Sequence, residues 1–149
     1  MLRYGKTTRS AIAAMSRLAQ AWGDPGARLS SADIARSRNL PQPVVAKLLT
    51  ILGQNGLVAG APGPGGGYRL GRAPSDISLF DVARLFEREE EEMGCPFGPG
   101  WCGTREPCPL HHDLERLRRQ TVRYLQQTRF DVFVGSPRRR GRGAGSRYR

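Results

Sequence analysis

Residues 95–112 read Cys-Pro-Phe-Gly-Pro-Gly-Trp-Cys-Gly-Thr-Arg-Glu-Pro-Cys-Pro-Leu-His-His, and no regular element can run through them. Four of the chain's eleven prolines fall here, each fixing φ and removing a backbone donor, together with three glycines. Whatever folds before this stretch must therefore be joined to whatever folds after it by an irregular loop. All three cysteines lie in that loop, and His111 and His112 close it. An odd number of cysteines argues against a disulfide framework, and 149 residues suffice to bury a core without such staples. Reduced thiols beside imidazoles point instead to a cytosolic metal or redox site.

Upstream, Thr7 or Thr8 is placed to cap a helix running to about Trp22, with Ala11, Ile12, Met15, Leu18, Ala19 and Trp22 on one stripe. Asp24, Pro25 and Gly26 stop it, and Leu29 reads as a short strand. Ser30 and Asp33 form a capping box that opens a short helix to about Arg38. After a turn at Asn39 and Leu40, a second helix is expected through Asn55, with prolines 41 and 43 tolerated in its first turn. Val45, Leu48, Leu49 and Leu52 give it one apolar stripe, while Gln42, Lys47, Thr50 and Gln54 point elsewhere. A short helix, a tight turn and a second helix with a polar outer face is the helix-turn-helix order.

Two short strands follow, Leu57 to Ala59 and Tyr68 to Leu70, around a glycine- and proline-rich turn. A hairpin directly after a helix-turn-helix is a wing. Gly63 to Gly67 precede a strand, not a helix, so a phosphate-binding P-loop fails its context test. Gly65, Gly66 and Tyr68 are instead candidates for close approach to a DNA backbone, the plainer alternative being a tight turn. Ser78 and Asp81 form a second capping box and open a helix expected to reach the acidic run ending at Glu92. Beyond the cysteine loop, Leu110, Leu114, Leu117, Thr121, Tyr124 and Thr128 recur at four and three, widened by Val122 and Leu125. That heptad-like seam is expected to pair with a second copy of the chain. Phe130, Val132, Phe133 and Val134 would dock back on the core.

The fold class expected is thus mainly α with a small β-hairpin wing: a winged helix-turn-helix plus a long C-terminal dimerisation helix. The divisions are 1–76 for the DNA-binding domain, 77–94 for a connecting helix, 95–112 for the cysteine-rich loop, 110–134 for the dimerisation helix and its docking end, and 135–149 for an Arg/Gly tail expected to be disordered.

The net charge of +11 and pI near 10.9 favour a polyanionic partner, nucleic acid first. The tail inflates that figure. With the six arginines of 136–149 set aside, 18 basic and 13 acidic residues remain, a net +5. Lys6 and Arg9 are candidate phosphate contacts, and Gln42, Lys47 and Thr50 candidate groove or phosphate contacts. The basic N-terminus also resembles a transit peptide on its surface, but it reads better as a structural helix. No apolar run approaches the roughly 20 residues of a membrane span. No nucleophile–base pair or substrate motif supports an enzyme or a small-molecule substrate.

The order of elements and the words within them resemble the IscR/NsrR family of bacterial winged-helix regulators. The matching residues are Lys6-Thr7-Thr8 with 11–19, then 29–35, Asn55-Gly56-Leu57-Val58, and above all Gly63-Pro64-Gly65-Gly66-Gly67-Tyr68-Arg69-Leu70 followed by 77–85. The cysteines and a histidine complete a likeness covering roughly 3–134. The resemblance implies a cytoplasmic homodimer that regulates transcription, as a repressor, by binding a palindromic operator in double-stranded DNA.

It further implies an iron–sulfur cluster, [2Fe–2S] in this reading, on Cys95, Cys102, Cys108 and His111. The family's cluster-assembly regulators space their cysteines by five and five residues, with a histidine three positions after the last. Here the intervals are six and five, and His111 stands at the histidine position. Other members take an acid from the partner's first helix, but Arg9 stands at that place and no acid precedes Asp24. A neutral fourth ligand suits a labile sensor of iron or cluster status, nitric oxide or redox. Zinc is the rival occupant of three cysteines and one histidine, although the loop lacks the usual close ligand pair. His112 competes with His111. A metal-free or zinc-binding winged-helix nucleic-acid-binding protein is the alternative reading. The cluster-assembly regulators tend to carry Glu-Gln where this chain has Ala46-Lys47 and an arginine where it has Pro62, so no target sequence carries over.

Overall fold

The computed structural model describes residues 5–87 and 107–136. Within them the chain is mainly helical with one two-stranded antiparallel hairpin, as the sequence patterns predict. Helix α1 (Lys6–Gln20) buries Ala11, Ala14, Met15, Leu18 and Ala19. Their spacing of three and four puts them on one face, and burial of that face holds the helix in place. Trp22, expected on the same stripe, lies beyond the helix in a turn and is 40% exposed. The expected Thr7 or Thr8 cap is not formed. Gly5 holds the cap position without a side-chain bond, and Thr8 turns inward, fully buried, to donate its hydroxyl to Glu87.

Helix α2 (Ser31–Arg38) starts where its capping box dictates. Ser30 Oγ accepts the Asp33 N–H at 3.0 Å, and Asp33 Oδ2 accepts the Ser30 N–H at 3.2 Å. It ends at Asn39, held at φ 54°, a conformation asparagine tolerates. Helix α3 (Gln42–Gln54) places Pro43 in its first turn and buries Val45, Leu48, Leu49 and Leu52. Arg38 ties α2 to α1: its guanidinium donates to Ala13 O (3.0 Å), Ser16 Oγ (2.9 Å) and Gln20 Oε1 (3.0 Å).

The hairpin pairs β1 (Val58–Ala61) with β2 (Gly67–Leu70), Val58 opposite Leu70 and Gly60 opposite Tyr68. Val58 and Leu70 are buried and root it in the core, while residues 62–65 at the tip are exposed. Leu29 bridges to Tyr68 through two backbone bonds of 2.8 and 3.0 Å, which locks the wing to the residue preceding Ser30.

Ser78 and Asp81 form the second capping box and open α4 (Leu79–Ala83). Among the described residues, the helix expected to reach Glu92 is α-helical only over these five. Leu85 and Phe86 close on carbonyls three positions back, tightening the chain as it brings Glu87 to the start of α1. Residues 88–92 lie outside the described residues, as do Cys95, Cys102 and the tail from 137 onward. Helix α5 (His111–Gln127) leads into a one-turn 3-10 helix, Phe130–Phe133. Its C-terminal end is pinned to the core. Thr128 O accepts the Leu79 N–H at 2.9 Å, the Phe130 N–H donates to Ile77 O at 3.0 Å, and the Phe130 ring is fully buried. Burying a phenylalanine contributes roughly 1.5–3 kcal/mol. Leu125, expected to widen the seam, is buried in this same core. Val132 and Val134, expected to dock, are exposed.

Candidate DNA interface and cysteine-loop end

The outer face of α3 is built from what its inner stripe leaves over. Lys47, Thr50 and Gln54 recur at three and four along it and are exposed, and Gln42 is exposed at its N-terminal end. Gln42 Nε2 lies 3.4 Å from Ser31 Oγ, so the first turns of α2 and α3 meet there. Thr50 donates its hydroxyl proton to Ala46 O at 3.1 Å, which turns its oxygen's acceptor capacity outward. Val44, 42% exposed, adds an apolar group to this polar surface. Neither Ser31 nor Val44 was expected in the site, although a lone valine just outside the inner stripe was the available signal for Val44.

At the wing tip Gly65 has φ +73°, and a Cβ added there meets nothing within 4 Å. A Cβ on Gly66 would lie 2.3 Å from Ala61 O, so the turn admits only glycine at that point. Tyr68 is half-buried, with its ring against Gly60. Its position thus serves the wing's own packing as well as any ligand. Lys6 and Arg9 stand exposed, three apart, on the first turn of α1.

Of the four predicted metal ligands, two fall within the described residues. Cys108 is buried, and its carbonyl accepts the His111 N–H at 2.9 Å, one turn on at the mouth of α5. His111 is half-buried and His112 exposed, their rings edge to face at 5.5 Å. Among the described residues no three His, Cys, Asp or Glu side chains form a group able to hold a metal. A cysteine and a histidine one turn apart fit half of a three-cysteine, one-histidine set, which iron–sulfur and zinc sites both use.

Along α5, Arg116, Arg118 and Arg119 are engaged by the helix's own acids. Arg116 meets Asp113 at 2.6 Å, and Glu115 accepts from Arg118 (2.7 and 2.9 Å) and Arg119 (3.1 Å). The hydrogen bond from Arg118, then that from Arg119, lowers the Glu115 carboxyl to about 2. The seam between these charges is open: Leu110, Leu117 and Tyr124 are 46%, 47% and 62% exposed.

A family model described as Rrf2, an iron-dependent transcriptional regulator, matches residues 4–136, which take in every described element. The chain belongs to the Rrf2 family. As an Rrf2 protein it is a DNA-binding transcription regulator, of a family of regulators and not of enzymes. It is 27% identical over 128 residues to the regulator IscR of Cereibacter sphaeroides, across 85% of this chain and 83% of that one. The structure of T. potens IscR is similar with a TM-score of 0.71 at 22% identity, covering 96% of this chain and 94% of the other, which shows the fold. CymR, the global cysteine regulator of B. subtilis, is similar with a TM-score of 0.71 at 27% identity, over 89% of this chain and 97% of that one. The Rrf2 match stops at Ser136, so the six arginines of the tail lie beyond it. No helix among the described residues is long and apolar enough to cross a membrane.

Proposed function

We propose that this Rrf2 protein is a homodimeric, cytoplasmic repressor whose operator affinity is set by an iron–sulfur cluster, [2Fe–2S], on Cys95, Cys102, Cys108 and His111. The observation that carries the reading is the backbone bond that sets buried Cys108 and half-buried His111 one turn apart where the loop enters α5. The exposure of His112 supports His111 as the fourth ligand. When bound, the cluster supplies one-electron and ligand-exchange chemistry, tuned by its imidazole ligand. The chain's own part is to hold a thiolate and an imidazole at the start of α5, whose exposed apolar seam would pair with a second copy. Dimer geometry then sets the spacing of two winged helices on a two-fold operator.

In the DNA complex α3 would enter the major groove. Lys47 and Gln42 donate to phosphate or base acceptors, Thr50 accepts, and Val44 meets a thymine methyl. Lys6 and Arg9 would grip phosphates, with Gly65 and Gly66 letting the wing backbone approach and Tyr68 stiffening the wing.

An anaerobic absorption spectrum with iron, sulfide and zinc analysis tests the cluster. Visible-range absorption with stoichiometric iron and sulfide is expected, lost in Cys108→Ser and weakened in His111→Ala but not in His112→Ala. Stoichiometric zinc without sulfide would sink the cluster and leave the winged-helix regulator standing.

A further inference from the structure

The N-terminus of α1 carries the exposed cations Lys6 and Arg9, yet its own sequence does not cap it: Gly5 has no side chain to offer, and no acid lies in the first turn. The missing acceptor comes from 82 residues away. Glu87 Oε1 accepts the Gly5 N–H at 2.9 Å and also the Thr8 hydroxyl. Thr8 is fully buried, so without that carboxylate its O–H would be stranded from water. A carboxylate there also faces the positive end of the helix dipole. Glu87 is itself placed by α4, its N–H donating to Ala83 O at 2.9 Å. Cys95 follows eight positions later in the chain.

We infer that Glu87 is a positioning residue. It caps α1 from outside, holds Lys6 and Arg9 in place, and makes the segment leading into the cysteine loop a direct support of the DNA-contacting first turn. Glu87 stands eight positions before Cys95, so a change in the ligand state of the cysteine loop would reach this cap through the chain that joins them. The inference rests on the DNA and cluster roles proposed above, but its first readout needs neither.

The test uses the full chain with Glu87→Ala, Glu87→Gln and Thr8→Val. Hydrogen exchange of the α1 first-turn amides is followed without DNA. Operator affinity is then measured for iron-loaded and chelator-treated protein. Losing a cap typically amounts to a factor of about ten. Glu87→Ala should therefore speed first-turn exchange roughly tenfold and bring the loaded-to-stripped affinity ratio at least about fivefold closer to one, with iron content unchanged. Glu87→Gln keeps an accepting oxygen and should stay within about twofold of wild type, while Thr8→Val, losing one of two bonds, falls between. Wild-type exchange in Glu87→Ala, or faster exchange with an unchanged ratio, overturns the inference. So does Glu87→Gln falling as far as Glu87→Ala. If no preparation holds iron, the cluster reading fails separately, and wild-type operator affinity in Glu87→Ala would then overturn the positioning role by itself.

Discussion

Two neighbouring glycines at the wing tip separate a structural need from a functional one. At Gly65 the backbone has φ +73° but the space around a Cβ is open, so Gly65→Ala meets only the left-handed conformational cost, roughly 1–2 kcal/mol. At Gly66 a Cβ would lie 2.3 Å from Ala61 O, 2.7 Å from Gly63 O and 2.8 Å from the Pro62 carbonyl carbon, all backbone. Gly66→Ala must therefore open the turn and give up the 2.9 Å bond from its N–H to Gly63 O, a loss of up to about 3 kcal/mol. Urea denaturation should rank the two variants in that order. Domains of this size are stable by about 5–15 kcal/mol, so Gly65→Ala stays almost wholly folded and any loss of binding it shows is not unfolding. If the tip lies against phosphates, the new methyl occupies the space the backbone of DNA needs. Operator affinity by fluorescence anisotropy should then fall about tenfold or more. Wild-type binding by Gly65→Ala would mean that the tip stands clear of DNA, and a Gly66→Ala no less stable than Gly65→Ala would refute the packing argument.

Leu117→Glu places a charge in the open seam of α5, which a dimer would have to desolvate. Sedimentation should show monomers with helicity retained, and operator affinity should drop by about tenfold or more; an intact dimer would count against the seam. The folded pKa of Glu115 is depressed to about 2 from 4.5, so its contribution is present above pH 4.5 and lost as pH falls toward 2. Helicity at 222 nm should decline over that window, and Glu115→Gln should flatten the decline. Replacing the six arginines of 137–149 by glutamine should make the slope of log K against log salt shallower by up to about 5, at about 0.9 per phosphate contact. An unchanged slope would leave the tail a solubilising end.

What was legible in the sequence is what is local. The two Ser–Asp capping boxes announce the starts of α2 and α4 because both partners lie within one turn. The inner stripe of α3 and the glycine-rich wing are likewise set by near neighbours and by φ. The start of α1 was misread because Thr8 is satisfied by a carboxylate 79 positions away, which no window on the sequence contains. The end of α4 was overrun for the same reason, since the chain tightens there to deliver Glu87. Leu125 was expected to widen the seam, yet the return of Phe130 to Ile77 makes it part of the chain's own core. Two of the four proposed ligands, Cys108 and His111, lie one turn apart at the mouth of α5, while Cys95 and Cys102 fall outside the described residues.

Several long-range contacts converge on α1. At its N-terminus Glu87 accepts the Gly5 N–H and the Thr8 hydroxyl, and its length packs against α4 and the 3-10 turn Phe130–Phe133 that follows α5. At its C-terminal end Gln20 accepts from Arg38 of α2 and donates to Ser136 Oγ at 3.1 Å. The described residues on either side of the loop are thus both fastened to one helix, and that helix is bonded to the helix-turn-helix. Under the proposal above, a rearrangement of the loop would act on α1 as a packed body, because close-packed interiors transmit displacement and do not absorb it. No residue-by-residue wire is needed. What is needed is that the ligand state of the loop stabilise one placement of α1 over another, since a group that binds both equally shifts neither. Glu87 is where that difference would first be felt, and the affinity ratio between loaded and stripped protein is its measure.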